Sequence, residues 1–138
     1  MKKVWILFVF FFNVAYGSAN YELQLYEKVL PSIFLQTPLR IFVENKDIRV
    51  LLEKSDKFEV TNSCDSTVVV VIGKKFSQLT KECQDKPRFT TNYKSFINDS
   101  KSFGAFYWRK GRPQLRFKQD VLNRYNLKLL DGLEKYAR

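Results

Sequence analysis

The residues of this 138-residue chain that could do chemistry are few, and one absence among them decides a great deal. There is no histidine, so Ser-His and Cys-His nucleophiles are excluded and a zinc site would have to rest on carboxylates alone. Two carboxylate pairs are close enough in sequence to act as acid and base, Glu44 with Asp47 and Glu53 with Asp56. Both flank a short amphipathic segment and read more simply as its solvated ends. The five glycines are scattered and form neither a Gly-x-Gly pattern nor a phosphate-binding loop. Neither an enzyme nor a resident cofactor is expected.

Binding chemistry is better represented. Gly73-Lys74-Lys75 follows an apolar run and precedes a helical spacing, the place where backbone amides receive an anion in an open α/β sheet. The competing reading is a turn with two solvated lysines. Further on, Lys101 to Trp108 partly imitates the aromatic strand of an RNA-recognition motif but departs from it at several positions, and no nucleic-acid partner is expected. Phe106 and Trp108 beside Arg109, Lys110 and Arg112 suit a protein interface instead, because aromatics and arginine supply most hot spots.

The elements that must position these residues alternate. Tyr21 to Ile33 carries a helical stripe that Pro31 should end or bend, Leu39 to Val43 reads as a strand, Asp47 to Lys54 as a short helix, and Phe58 to Thr61 as a second strand. A buried strand from Thr67 to Ile72 follows, with Gly73 as a turn, a returning helix from Lys75 to Glu82, and a short strand at Arg88 to Thr90. The polar stretch from Asn92 to Ser102 reads as a loop. Phe103 to Trp108 and Gln114 to Lys118 form a hairpin with Gly111 at positive φ, and Asp120 is placed to cap a last helix whose apolar pattern extends through Leu127, Leu129 and Leu133. The order predicts a single small, three-layer-like α/β domain with a mostly parallel sheet and a C-terminal antiparallel hairpin.

Lys2 and Lys3, the apolar run Val4 to Phe12 and small residues near Gly17 predict a signal peptide over residues 1–19, leaving residues 20–138 as the exported domain. Setting Lys2 and Lys3 aside from the 24 basic residues leaves 22 against 14 acidic ones, a net charge near +8. In an oxidising compartment Cys64 and Cys83 should pair. A strand of roughly 16 Å answered by a helix of roughly 12 Å returns Cys83 to the level of Cys64.

From Cys64 onward, the cysteine before a Val-rich strand ending at Gly73, Gly104 in an aromatic strand, Gly111-Arg112, Arg116-Phe117 and the spaced Leu127, Leu129 and Leu133 before Ala137 resemble the YfiR family of small periplasmic regulators. The resemblance covers a little over half of the exported chain. It departs at Asp120, where the family commonly has Asn, and at Thr37-Pro38, where a Trp-Pro is typical. The resemblance implies a periplasmic protein, without catalysis of its own, that binds the sensory domain of an inner-membrane diguanylate cyclase and represses it. The alternative is a small-ligand or anion-binding module with its site at the carboxyl ends of the strands near Gly73, and a third reading is a basic cell-envelope adhesion module.

Overall fold

The computed structural model describes residues 18–65 and 70–137. The predicted leader therefore lies outside the described residues, except for Ser18 and Ala19, which open the first helix.

Helix α1 spans Ser18–Phe34 and buries Tyr26, Val29, Leu30 and Ile33 against the sheet. Each such aliphatic side chain contributes about 1.5–3 kcal/mol by leaving water. Of the two outcomes expected at Pro31, ending the helix is ruled out, since Pro31 lies inside it. Pro31 removes one donor, but Ile33 inside the core and Phe34 edge-on to Phe103 at 5.6 Å hold the last turn. Strand β1 (Leu39–Val43) alternates cleanly, with Leu39, Ile41 and Val43 buried in the main core and Phe42 facing the other side. Helix α2 (Lys46–Glu53) starts where Asn45 Oδ1 accepts the amides of Asp47 and Ile48 at 2.9 and 3.1 Å, and β2 (Phe58–Thr61) follows.

Strand β3 is Val70–Gly73, so the predicted strand is described only from Val70 onward. Gly73 is its last residue, paired with Thr90 of β4 (Arg88–Thr90), rather than a turn. Between them the predicted helix over Lys75 to Glu82 shrinks to α3, Lys81–Gln84. Ser77 and Thr80 are poor helix residues, and Phe76 and Leu79 reach the Cys64–Cys83 cluster from irregular backbone. The stretch predicted as a loop holds helix α4 (Tyr93–Asn98), started by Asn92 Oδ1 accepting the Ser95 amide at 3.0 Å. Its one buried anchor is Phe96, too little to make a readable stripe.

Strands β5 (Ser102–Arg109) and β6 (Arg112–Phe117) form the predicted hairpin. Its turn is two residues, Lys110 and Gly111, with φ of 51° and 74°, the signs a type I′ turn requires. The β4–β5 register shifts at Arg88/Phe89, so that both Phe103 and Phe106 enter the main core while Ala105 and Tyr107 face the other layer. Helix α5 is Gln119–Arg124 with Lys118 as its N-cap, so Asp120 sits in the first turn and is not the cap. The helix ends in a Schellman arrangement: Asn126 has φ 56°, and the amides of Leu127 and Asn126 donate to the carbonyls of Leu122 and Asn123 at 2.8 and 3.1 Å. Leu127 and Leu129 therefore lie on an irregular tail rather than a continued helix. That tail packs on the core and closes with a 3₁₀ turn, Glu134–Tyr136.

The six strands are ordered β2-β1-β3-β4-β5-β6, parallel except for β5–β6. Helices α1, α2 and α5 contribute to the main core on one face, while α3, α4 and the disulfide cover the other, giving three layers. The chain reverses its winding between β1 and β3. In such sheets the crevice at the carboxyl ends beside the reversal is the usual ligand position. Among the described residues no helix is long and apolar enough to cross a membrane.

Candidate functional site

Glu44 leaves the carboxyl end of β1 beside the reversal point, and its carboxylate accepts the amides of Lys74 and Lys75 at 3.2 and 3.3 Å. The anion-binding expectation at Gly73, Lys74 and Lys75 is corrected on this ground. The donors exist, but the protein supplies their anion itself. Gly73 is required by the same contact, because a Cβ there would lie 2.7 Å from Glu44 Oε2 and 2.8 Å from its Cβ. Replacing Glu44 with alanine should cost about 1–2 kcal/mol and expose the two amides. Inorganic phosphate should then raise the melting temperature of Glu44→Ala and leave that of the wild type unchanged, which differential scanning fluorimetry would read.

The remaining loops of this edge are held by side chains. Ser95 Oγ donates to the Lys74 carbonyl at 2.6 Å, tying α4 to the end of β3, and Thr90 Oγ1 accepts the Asn92 amide at 3.2 Å. Between these loops and the start of α1 opens a cleft of about 280 Å³, lined among others by Glu22, Tyr26, Asp47, Lys74, Phe106 and Trp108. The Tyr26 hydroxyl is fully buried and has no hydrogen-bond partner. Burial, with the nearby Glu22 carboxylate, pushes its ionisation far above the ordinary phenol range, so it stays a neutral phenol. At the mouth Trp108 Nε1 donates to Glu22 Oε1 at 2.5 Å. On the other side of Trp108 a groove of about 430 Å³ is lined by Thr91, Asn92, Tyr93, Tyr107 and Arg109.

The residues assigned to a protein interface separate in the structure. Phe106 is 3% exposed and belongs to the core, a correction forced by the register shift that turns it toward Tyr26 at 6.1 Å. Trp108 is 41% exposed and stands 6.2 Å from the exposed ring of Tyr21. Arg109, Lys110 and Arg112 are all exposed at the adjoining hairpin tip. In the sequence Tyr21 stands only as the first residue of the helical segment and not as a member of the interface. The signal that could have found it is a ring at the solvent end of an otherwise core-facing helix.

Beneath the hairpin, a polar network fixes α4 against β4 to β6. Arg88 Nη1 meets Asp99 Oδ1 at 3.0 Å, Arg88 Nη2 donates to the Gln84 carbonyl at 3.0 Å, and Ser102 Oγ donates to Asp99 Oδ2 at 2.6 Å. Lys118 Nζ donates to the carbonyls of Phe96 and Asp99 and lies 4.7 Å from the Phe96 ring centre. Partial burial lowers the Lys118 ammonium below the usual lysine range, against the pull of Asp99 and Asp120. Of the candidate carboxylate pairs, Glu44 is engaged by amides and Glu53 by Arg49 at 3.0 Å. Among the described residues no group of three or more metal-ligating side chains assembles. No family model matches the chain, and no curated protein does.

Proposed function

We propose that this protein is a periplasmic, non-enzymatic regulator that docks on the sensory domain of an inner-membrane diguanylate cyclase and represses it. The observation that carries this reading is the pairing of exposed Trp108 and Tyr21 with the basic hairpin tip Arg109, Lys110 and Arg112. Large rigid rings beside arginine are what protein interfaces use for affinity, and the tight two-residue turn presents them with little entropy left to lose. The leader-like sequence, the disulfide and the similarity of the C-terminal half to YfiR-type regulators support an envelope location. Repression then requires only that the domain bind one receptor conformation better than the other.

The partner face would be apolar at its centre with an acidic rim. Trp108→Ala should weaken such a complex by about 2 kcal/mol or more, roughly thirtyfold. A combined Arg109→Ala, Lys110→Ala and Arg112→Ala variant should slow association and flatten its salt dependence. Co-purification from detergent-solubilised inner membranes tests both. Recovery of a membrane cyclase by wild type and not by Trp108→Ala is the expected result, and equal recovery by both would reject this face as the interface.

A further inference from the structure

We propose that the α4 side of the β5–β6 hairpin docks on an anionic phospholipid membrane surface. Positive charge is concentrated in this hairpin. From Ser100 to Gln119 the chain holds six basic residues and no acidic one, whereas the rest of the chain carries 18 basic against 14 acidic. The strand register puts much of that charge on one face. Ala105 and Tyr107 of β5 face the α4 layer with Phe96, and their partners across the hairpin are Arg116 and Gln114. Paired residues share a face and alternate residues repeat it, so Arg109, Arg112 and Arg116 line one side, with Lys110 at the turn between the first two. Trp108 points the other way, toward Phe106 and Tyr21.

This charge is carried at a cost. Arg109 stands directly opposite Arg112, a like-charge pairing that works against the hairpin holding it. Among the described residues none of Arg109, Lys110, Arg112 and Arg116 forms a salt bridge, although Arg40, Arg49, Arg88 and Lys101 each meet a carboxylate. An external anionic surface relieves that repulsion. The strand from Arg112 to Arg116 runs about 14 Å, too far for one small anion to serve both. Beside the strip, α4 exposes Tyr93 and Ile97 one turn apart, with the exposed Lys94 following Tyr93. Cations flanked by an exposed phenol ring and an aliphatic side chain match the headgroup level of a bilayer, where both kinds of contact are met at once, and this favours lipid over a soluble polyanion.

The membrane that holds the proposed receptor supplies this surface, so the setting rests on the regulator reading, but vesicle binding is measured without any receptor and the two fail separately. Protein purified after export is sedimented with vesicles of phosphatidylglycerol and phosphatidylethanolamine, or of phosphatidylcholine alone. The expected result is saturable binding to the first, none to the second, and a steep loss as sodium chloride is raised. Arg109→Gln, Arg112→Gln and Arg116→Gln combined should weaken vesicle binding roughly hundredfold, and Arg116→Gln alone, away from the turn, about fivefold. The triple variant should melt no lower than wild type, because like charges have been removed, and this shows that it folds. Trp108→Ala, which removes the receptor contact, should keep its vesicle affinity within about twofold, since its charge is unaltered. Equal binding to both kinds of vesicle, unchanged binding by the triple variant, a loss in Trp108→Ala as large as in the triple variant, or binding to heparin with none to the anionic vesicles would each overturn the proposal.

Discussion

Asp99→Ala is expected to lower the melting temperature by on the order of 10 °C, the largest effect of any single polar substitution described. Arg88 and Asp99 keep side-chain exposures of only 11% and 15%, so removing the carboxylate leaves a guanidinium in a site largely closed to water. Breaking such a pair from one side costs about 3–5 kcal/mol. The lower end applies here, because Arg88 retains the Gln84 carbonyl and stacks 5.2 Å from the Phe76 ring centre. The Asp99 carboxylate also accepts Ser102 Oγ at 2.6 Å and the Lys101 amide at 3.2 Å, so α4, β4 and β5 loosen together. Thermal unfolding followed by circular dichroism checks this. A shift under about 2 °C would mean that the network is not a stabilising unit.

The second large effect is expected from the disulfide. Cys64 and Cys83, with Cα atoms 5.2 Å apart, are each 2% exposed and sit among Phe42, Phe76 and Leu79. Opening a bridge across a sequence separation of 19 should cost about 3 kcal/mol in the chain-entropy model. Cys64→Ser adds a hydroxyl in an apolar cluster and leaves Cys83 as a free thiol, so the melting temperature should again fall by on the order of 10 °C. Denatured wild-type protein purified without reductant should show no reactive thiol. Two reactive thiols per chain, or a Cys64→Ser protein as stable as wild type, would remove the disulfide from the stability account.

The layers and the hairpin were legible because they rest on strong, local signals. Leu39 to Val43 alternates with period two, Lys110-Gly111 can adopt positive φ, and Cys64 and Cys83 bracket one crossover. What escaped had no such local signature. Helix α4 hangs on Phe96 alone, and Asn92 reads as a loop residue until its amide partner is seen. The fate of Phe106 depended on a one-residue register shift against β4, a property of two strands together. At the candidate site, Glu44 and Lys74 are thirty residues apart in sequence, and only the sheet order makes them neighbours. The cleft escaped for the same reason, since Tyr26 and Trp108 come from opposite ends of the chain and only the fold brings them together.

The central claim is that this domain lowers the output of a membrane diguanylate cyclase through its Trp108 face. The most direct test is the cellular cyclic di-GMP content of the strain that encodes it, after deletion and after restoration with wild type or Trp108→Ala. The account predicts that deletion raises cyclic di-GMP, that wild type restores the lower level, and that Trp108→Ala, exported in equal amount, does not. Cyclic di-GMP that is unchanged by deletion, or restored equally by Trp108→Ala, would contradict it.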